Sequence, residues 1–130
     1  MKTQAGAAIA DLFRSESGGI QPLGQGAVFL QGFALGYDQQ LVEVVGRIAK
    51  QAPFRGMSTP GGHAMSVTTT SCGAAGWGSD AQGYRYARTD PESGKPWPAM
   101  PELIIHCAQE AALKAGYADF QPDACLINRY

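Results

Sequence analysis

Apolar and polar positions follow a helical period in the segment between residues 38 and 51. Leu41, Val44, Val45 and Ile48 recur at a spacing that places one apolar stripe along a helix. The segment begins with an aspartate, a residue that caps helix N-termini well, and a proline follows shortly after its end. The pattern therefore predicts an amphipathic helix over residues 38–51.

A second helix is predicted between Pro101 and Gly116. Proline is favoured in the first turn of a helix, and glycine is favoured just beyond the last turn. Four residues line one face of this helix: Ile104, Ala108, Ala111 and Ala115. The face is narrow and made mainly of small side chains, which fits packing against a neighbouring element.

Short runs of apolar, β-branched or alternating residues predict four strands. They are residues 27–30, 64–70, 84–88 and 124–130. Residues 72–83 contain four glycines and are interpreted as a loop. Two helices among several strands predict the α+β fold class.

Composition changes this picture little. Of the 130 residues, 45% are hydrophobic and 16% are charged, as expected of one folded domain. We expect residues 1–26, rich in Gly, Ala and Ser, to be poorly ordered and residues 27–130 to form a single domain. No apolar run could cross a bilayer, and Asp11 interrupts the only candidate signal peptide. A monomeric cytoplasmic protein with no membrane partner is expected.

The residues that usually bind metals give no recognisable pattern. Cys72, Cys107 and Cys125 are widely spaced and form no C-x-x-C pair, so reduced, buried thiols are expected rather than zinc or disulfides. A non-haem iron site commonly has an H-x-D or H-x-E pair. Neither His63 nor His106 has a carboxylate two residues later. Spacing alone therefore predicts no metal site.

Aromatic residues cluster around the glycine-rich segment. Tyr84 and Tyr86 are two apart on a predicted strand and face the same side, and Trp77 precedes them. These rings could stack on a flat ligand such as a nucleobase, or they could pack as ordinary hairpin aromatics. Arg85 faces the other side, where it could meet a phosphate or remain a solvated strand residue.

The last predicted strand has two chemically different faces. Leu126, Asn128 and Tyr130 share one face, whereas Ile127 and Arg129 share the other. Amide, phenol and aliphatic groups on one face could hold a small polar ligand and its carbon chain. The same pattern also fits the polar end of a strand. The net charge of −1 gives no support for nonspecific binding of nucleic acid.

Several sequence blocks, taken in order, resemble the bacterial AlkB family of iron- and 2-oxoglutarate-dependent dioxygenases that repair alkylated DNA. The resemblance covers about residues 27–130, and two blocks are especially specific: K-P-W-P-x-M-P and F-Q-P-D-x-C-L-I-N-R-Y. The complete set of blocks that carries the resemblance comprises residues 59–62, 65–67, 72–73 with 76–77, 83–86, 95–101 and 117–130.

The resemblance implies a double-stranded β-helix, or jelly roll, preceded by a helical and stranded lid over the substrate pocket. In this family the iron-binding H-x-D motif, the last iron histidine and the arginines that bind 2-oxoglutarate all follow the N-R-Y block. The chain is therefore expected to be an N-terminal fragment with the lid and the first core strand. It would contain no catalytic residue and no metal ligand, and it would be inactive alone.

The resemblance also implies substrate-binding residues. Trp77 matches the lid tryptophan that stacks on the damaged base, and Tyr84, Arg85 and Tyr86 match the hairpin that contacts the substrate. His63 falls where related proteins can carry a tyrosine, and no role is assigned to it.

Asn128 and Tyr130 match residues that bind 2-oxoglutarate. Arg129 lies between them in sequence and is expected to face away, so it is a weaker candidate for the same site.

The function implied is removal of methyl groups from 1-methyladenine and 3-methylcytosine in single- or double-stranded DNA. Fe(II), 2-oxoglutarate and O2 would be required, and the methyl group would leave as formaldehyde. Two alternatives remain open. One is a short, non-catalytic module that binds modified bases, and the other is a family member that acts on RNA.

Overall fold

The computed structural model describes residues 19–130. Contacts divide the chain into two compact units. Among the described residues, the first unit contains residues 19–38 together with Cys107–Phe120, and the second contains Gln39–His106 together with Gln121–Tyr130. Helices and strands are both present, as the α+β prediction requires. Within the described part, no helix is long and apolar enough to cross a membrane.

The first unit contains an antiparallel hairpin of strands β1 (Ile20–Gly24) and β2 (Ala27–Leu30). A short 3₁₀ helix over Phe33–Gly36 follows. Strand β2 has the predicted bounds, but no strand was predicted at β1. All five residues of β1 are exposed, so the strand buries no apolar face that a sequence pattern could reveal. Pairing with β2 determines its conformation instead. Poor order was expected for residues 1–26; residues 1–18 lie outside the described residues, whereas residues 20–24 form β1.

Helix α1 (Asp38–Gln51) has the bounds that the sequence predicted. Val44 and Ile48, one turn apart on the predicted stripe, are its buried residues. The prediction succeeded because the apolar spacing and both end signals agree along this segment.

Helix α2 (Glu102–Lys114) also lies where it was predicted. At its C-terminal end the Tyr117 N–H donates to the Ala112 carbonyl and the Gly116 N–H donates to the Leu113 carbonyl. Gly116 has a φ of 97°, a conformation that glycine adopts readily. These paired bonds form a Schellman cap, which explains why the helix ends there.

The second unit contains two antiparallel strand pairs. Strand β3 (Thr68–Gly73) pairs with β6 (Ala124–Arg129), and β4 (Gly76–Asp80) forms a hairpin with β5 (Gly83–Ala87). Strands β5 and β6 match their predictions to within one residue. Strand β3 begins four residues later than predicted and extends into the segment interpreted as a loop.

The loop prediction for residues 72–83 was wrong, because all four of its glycines belong to strands. A Cβ atom on Gly73 would lie 2.4 Å from the Asp123 carbonyl oxygen, and one on Gly76 would lie 2.2 Å from the Trp97 ring. Glycine is required at these positions because backbone and ring approach closely. Glycine content alone could not separate close packing from a turn.

The core of the second unit lies between α1 and the β3–β6 pair. Val44, Ile48 and Cys72 form its buried cluster. Partly buried side chains surround this cluster: Met100, Leu103, Ile104, Cys125 and Ile127. This core fixes one face of β6 and leaves the opposite face of the strand available to solvent.

Candidate functional site

The β4–β5 hairpin presents an aromatic face made of Trp77, Tyr84 and Tyr86. Trp77 lies directly opposite Tyr86, and Tyr84 lies two pairs further along, opposite Ser79, on the same side. The Trp77 and Tyr84 rings are stacked, with centroids 5.8 Å apart and planes 19° apart. Tyr84 and Tyr86 are 64% and 65% exposed. The hairpin thus holds a flat, preorganised surface that is open to solvent.

The sequence prediction brought these three rings together correctly but placed Trp77 in a loop. Trp77 lies on β4, and the strand register sets its position relative to both tyrosines. The rings do pack as hairpin aromatics, since Trp77 and Tyr84 stack on each other. Packing does not bury Tyr84 or Tyr86, however, and grouped exposed aromatics are typical of a binding surface.

Arg85 lies on the opposite side of β5 and is paired with Asp80. Its two terminal nitrogens donate to the two Asp80 carboxylate oxygens at 2.8 and 2.5 Å. Asp80 also accepts the Gln82 N–H at 2.8 Å. These bonds, chiefly those from Arg85, lower the pKa of Asp80 to about 2. A phosphate that binds Arg85 must therefore compete with a carboxylate that stays ionised.

A second arginine–carboxylate pair, not anticipated from the sequence, is buried beside the hairpin. Arg55 donates to both oxygens of Asp90 at 2.5 and 2.9 Å, and its guanidinium lies 5.0 Å from the centre of the Trp97 ring. Trp97 donates its indole N–H to the Ala87 carbonyl at the end of β5. The pair therefore anchors the ring against which the hairpin packs. Its members are distant in sequence, so no local pattern reveals them.

A cavity of about 300 Å³ lies next to this pair, and Trp77 is among its lining residues. Its other charged and aromatic lining groups are Arg55, Asp80, Arg85, Glu92 and Trp97. Two arginines and two carboxylates therefore line the cavity together with the tryptophan residues. The carboxylates of Asp80 and Glu92 each already lie within ion-pair distance of an arginine.

The faces of β6 differ as the sequence predicted. Ile127 packs against the core, and the Arg129 guanidinium lies 4.5 Å from the centre of the Phe54 ring and bonds Thr68. Asn128 and Tyr130 are exposed. The alternation places Arg129 and the Asn128 amide on opposite faces of β6, and Tyr130 follows directly after the strand.

The described residues do not fit an iron site. Among residues 19–130, no group of three His, Cys, Asp or Glu side chains could hold a metal ion. His63 is exposed, and its backbone N–H donates to the Thr59 hydroxyl at 3.2 Å. Neither His63 nor His106 belongs to a metal-binding group.

Residues 26–130 match the family model described as the 2OG-Fe(II) oxygenase superfamily, where 2OG is 2-oxoglutarate. The chain belongs to this superfamily, which confirms the class that the sequence blocks predicted.

Within the superfamily the chain is of the AlkB type. It is 53% identical over 120 residues to the alpha-ketoglutarate-dependent dioxygenase AlkB of Salmonella typhimurium and 52% identical to that of Escherichia coli. Each match covers 92% of this chain and 56% of the relative. An AlkB homolog of Caulobacter vibrioides is 44% identical over 90 residues, covering 69% of this chain and 39% of the relative.

The chain spans about half the length of the curated relatives that it matches most extensively. A match over 120 residues is longer than the range 27–130, so the similarity extends into residues 1–26. The family-model match agrees with the predicted extent of residues 27–130, whereas the pairwise match extends further towards the N-terminus.

Proposed function

We propose that the protein is an Fe(II)- and 2-oxoglutarate-dependent dioxygenase that removes methyl groups from alkylated bases in DNA. The observation that carries this proposal is the aromatic face, where Trp77 and Tyr84 stack and Tyr84 and Tyr86 stay exposed. A chain of the AlkB type with such a surface has the means to hold a flat base outside its duplex.

The aromatic face supports a preference for damaged bases. An enzyme that acts on a base must take it out of the stack, and flat side chains then replace the lost stacking partners. The proposed lesions, 1-methyladenine and 3-methylcytosine, are cationic. A cation is attracted to an aromatic ring by about 0.5–2 kcal/mol, whereas the unmethylated base lacks this term. Trp77, Tyr84 and Tyr86 would thus contribute both affinity and selectivity.

Arg85 is proposed to contribute through the phosphate backbone. A phosphate offers the same paired oxygens as the Asp80 carboxylate, so it can replace that carboxylate on the guanidinium. The exposed position of the Arg85–Asp80 pair permits this exchange. Because Asp80 competes for the guanidinium, Arg85 would bind phosphate more weakly than an unpaired arginine does.

Asn128 and Tyr130 are proposed to bind 2-oxoglutarate. Their exposed amide and phenol groups can donate hydrogen bonds to the oxygens of a small dicarboxylate. Arg129 is not proposed for this role, because its side chain is engaged with Phe54 and Thr68.

We further propose that residues 27–130 are the N-terminal part of one AlkB-like domain, with a lid and the first strand of a jelly roll. The relatives are nearly twice as long as the matched region, which supports this assignment. The iron ligands would come from residues outside the described part, since none of the described groups fits a metal. Reading the coding sequence beyond Tyr130 for an H-x-D motif tests this directly.

The 130-residue chain is expected to show only background turnover. With Fe(II), 2-oxoglutarate, O2 and a 1-methyladenine oligonucleotide, succinate and formaldehyde should not exceed a protein-free blank. The Escherichia coli AlkB protein, assayed in parallel, serves as the positive control. Sustained succinate release by the chain would show that its own residues complete the iron site, contrary to the proposal.

A further inference from the structure

Cys72 and Cys125 form a pair across the β3–β6 ladder. They are 53 positions apart in sequence, yet they lie directly opposite each other in the strand register. Cys72 is fully buried, and Cys125 is partly buried against the same core. The pKa of each thiol is shifted chiefly by hydrogen bonding to the other. The sequence predicted separate buried thiols and did not place them together.

We propose that Cys72 and Cys125 are an oxidation site, at which hydrogen peroxide converts the two thiols into a disulfide across β3 and β6. Side chains directly opposite on antiparallel strands have Cβ atoms about 4.5–5.5 Å apart. A disulfide needs a Cβ separation of about 3.5–4.5 Å. A typical opposite pair therefore lies within about 1 Å of disulfide distance, and the Cys72–Cys125 register needs no change.

The two thiols differ in reactivity. Cys72 donates its S–H to the sulfur of Cys125, which lowers the pKa of Cys125 below that of an ordinary thiol. The same bond, together with burial, raises the pKa of Cys72. Cys125 is also the more accessible of the two. Cys125 is therefore the thiolate that meets the oxidant, and Cys72 is the thiol that resolves the product.

The chemistry balances with peroxide as the only oxidant. The Cys125 thiolate attacks one peroxide oxygen, the O–O bond breaks and hydroxide leaves, giving a sulfenic acid. The Cys72 sulfur then attacks the sulfenic sulfur and displaces its hydroxyl group as water. The two thiol protons, with both oxygens and both hydrogens of the peroxide, end as two water molecules, and each sulfur has lost one electron.

Cys107 provides a control within the same chain. It lies on α2 in the first unit, and its pKa is raised by burial and by the nearby Glu110 carboxylate. A smaller thiolate fraction makes it slower to oxidise. It also belongs to a different element from the β3–β6 pair.

A disulfide at this position would fix the register of the strand that carries Asn128. Asn128 lies three residues after Cys125 on β6, opposite Thr69. If the proposed role of Asn128 holds, oxidation would act on the strand that binds 2-oxoglutarate. Formation of the disulfide does not depend on that role.

Peptide mapping tests the proposal. The chain is treated with a small excess of hydrogen peroxide, remaining thiols are alkylated, and the protein is digested with trypsin without reduction. Arg85 and Arg88 separate Cys72 from Cys107, and Lys114 separates Cys107 from Cys125, so each cysteine lies in its own peptide. The expected product is a Cys72–Cys125 linked peptide that dithiothreitol separates, with Cys107 still alkylated.

Variants locate the reaction. Cys125→Ser is expected to abolish the linked peptide, and Cys107→Ser is expected to leave its yield unchanged. Recovery of Cys125 as sulfinic acid with Cys72 still alkylated would overturn the proposal, as would linkage only between separate chains. If Cys125→Ser does not fold, the peptide map of the oxidised wild-type chain alone decides whether the Cys72–Cys125 disulfide forms.

Discussion

Replacing Asp90 by alanine is expected to lower the free energy of unfolding of the second unit by about 3–5 kcal/mol. The change leaves the Arg55 guanidinium buried without its bidentate partner, since the Arg55 and Asp90 side chains are only 6% and 2% exposed. Glu92, at 3.7 Å from Arg55, is largely exposed and can replace little of the lost interaction. Urea unfolding followed by tryptophan fluorescence measures the change.

Asp80→Ala is the matched control for this experiment. Asp80 also accepts two hydrogen bonds from one arginine, but both side chains are nearly half exposed, at 46% for Arg85 and 47% for Asp80. Exposed ion pairs contribute little because water screens them. The urea midpoint should therefore change far less in Asp80→Ala. Equal losses in the two variants would show that burial does not determine the contribution of Asp90.

The Arg55–Asp90 pair should also make the stability of the fold sensitive to acid. Arg55 lowers the pKa of Asp90 in the folded state below the ordinary value of 3.8. A carboxyl group of this kind stabilises the fold fully above its unfolded-state pKa, and the contribution is lost as the pH falls through the folded-state pKa. The difference in stability between the wild type and Asp90→Asn should therefore shrink below about pH 4.

Trp77→Ala is expected to weaken binding of a methylated single-stranded oligonucleotide roughly 5- to 150-fold. Loss of one aromatic stacking partner typically costs about 1–3 kcal/mol per base. Trp77 also stacks on Tyr84, so its removal releases a second ring from its preorganised position. Titration with a fluorescently labelled oligonucleotide gives the affinity, and circular dichroism checks that the variant remains folded.

Two further variants test whether binding of the oligonucleotide depends on the aromatic face itself or on any exposed aromatic residue. Trp77→Phe keeps a flat ring and should retain most of the affinity. Tyr117→Ala removes an aromatic residue that is 56% exposed and belongs to the first unit rather than to the hairpin. It should leave binding unchanged. If Tyr117→Ala weakened binding as much as Trp77→Ala, the aromatic face would not be the recognition surface.

The sequence predicted best where local and periodic information agree. Helix α1 has an apolar stripe, an aspartate in its first turn and a proline just beyond its end, and its bounds agree with the prediction. The two faces of β6 followed from simple alternation. Sequence periodicity also placed Tyr84 and Tyr86 on one side of a strand, and the register of β4 and β5 supports this.

The sequence failed where tertiary contacts decide the structure. Gly73 and Gly76 resembled loop residues because the groups that approach them, the Asp123 carbonyl and the Trp97 ring, are distant in sequence. The Arg55–Asp90 pair and the Cys72–Cys125 pair likewise join residues that no local pattern connects. Strand β1 depends on pairing with β2 rather than on its own composition.

The most direct test of the account is whether the chain prefers a methylated base. Isothermal titration should compare a single-stranded oligonucleotide carrying one 1-methyladenine with the same oligonucleotide unmodified. The aromatic face predicts tighter binding of the methylated form by about 2- to 30-fold, the range that corresponds to a cation–aromatic attraction of about 0.5–2 kcal/mol. Equal affinities for the two oligonucleotides would contradict the proposal that this hairpin recognises alkylated bases.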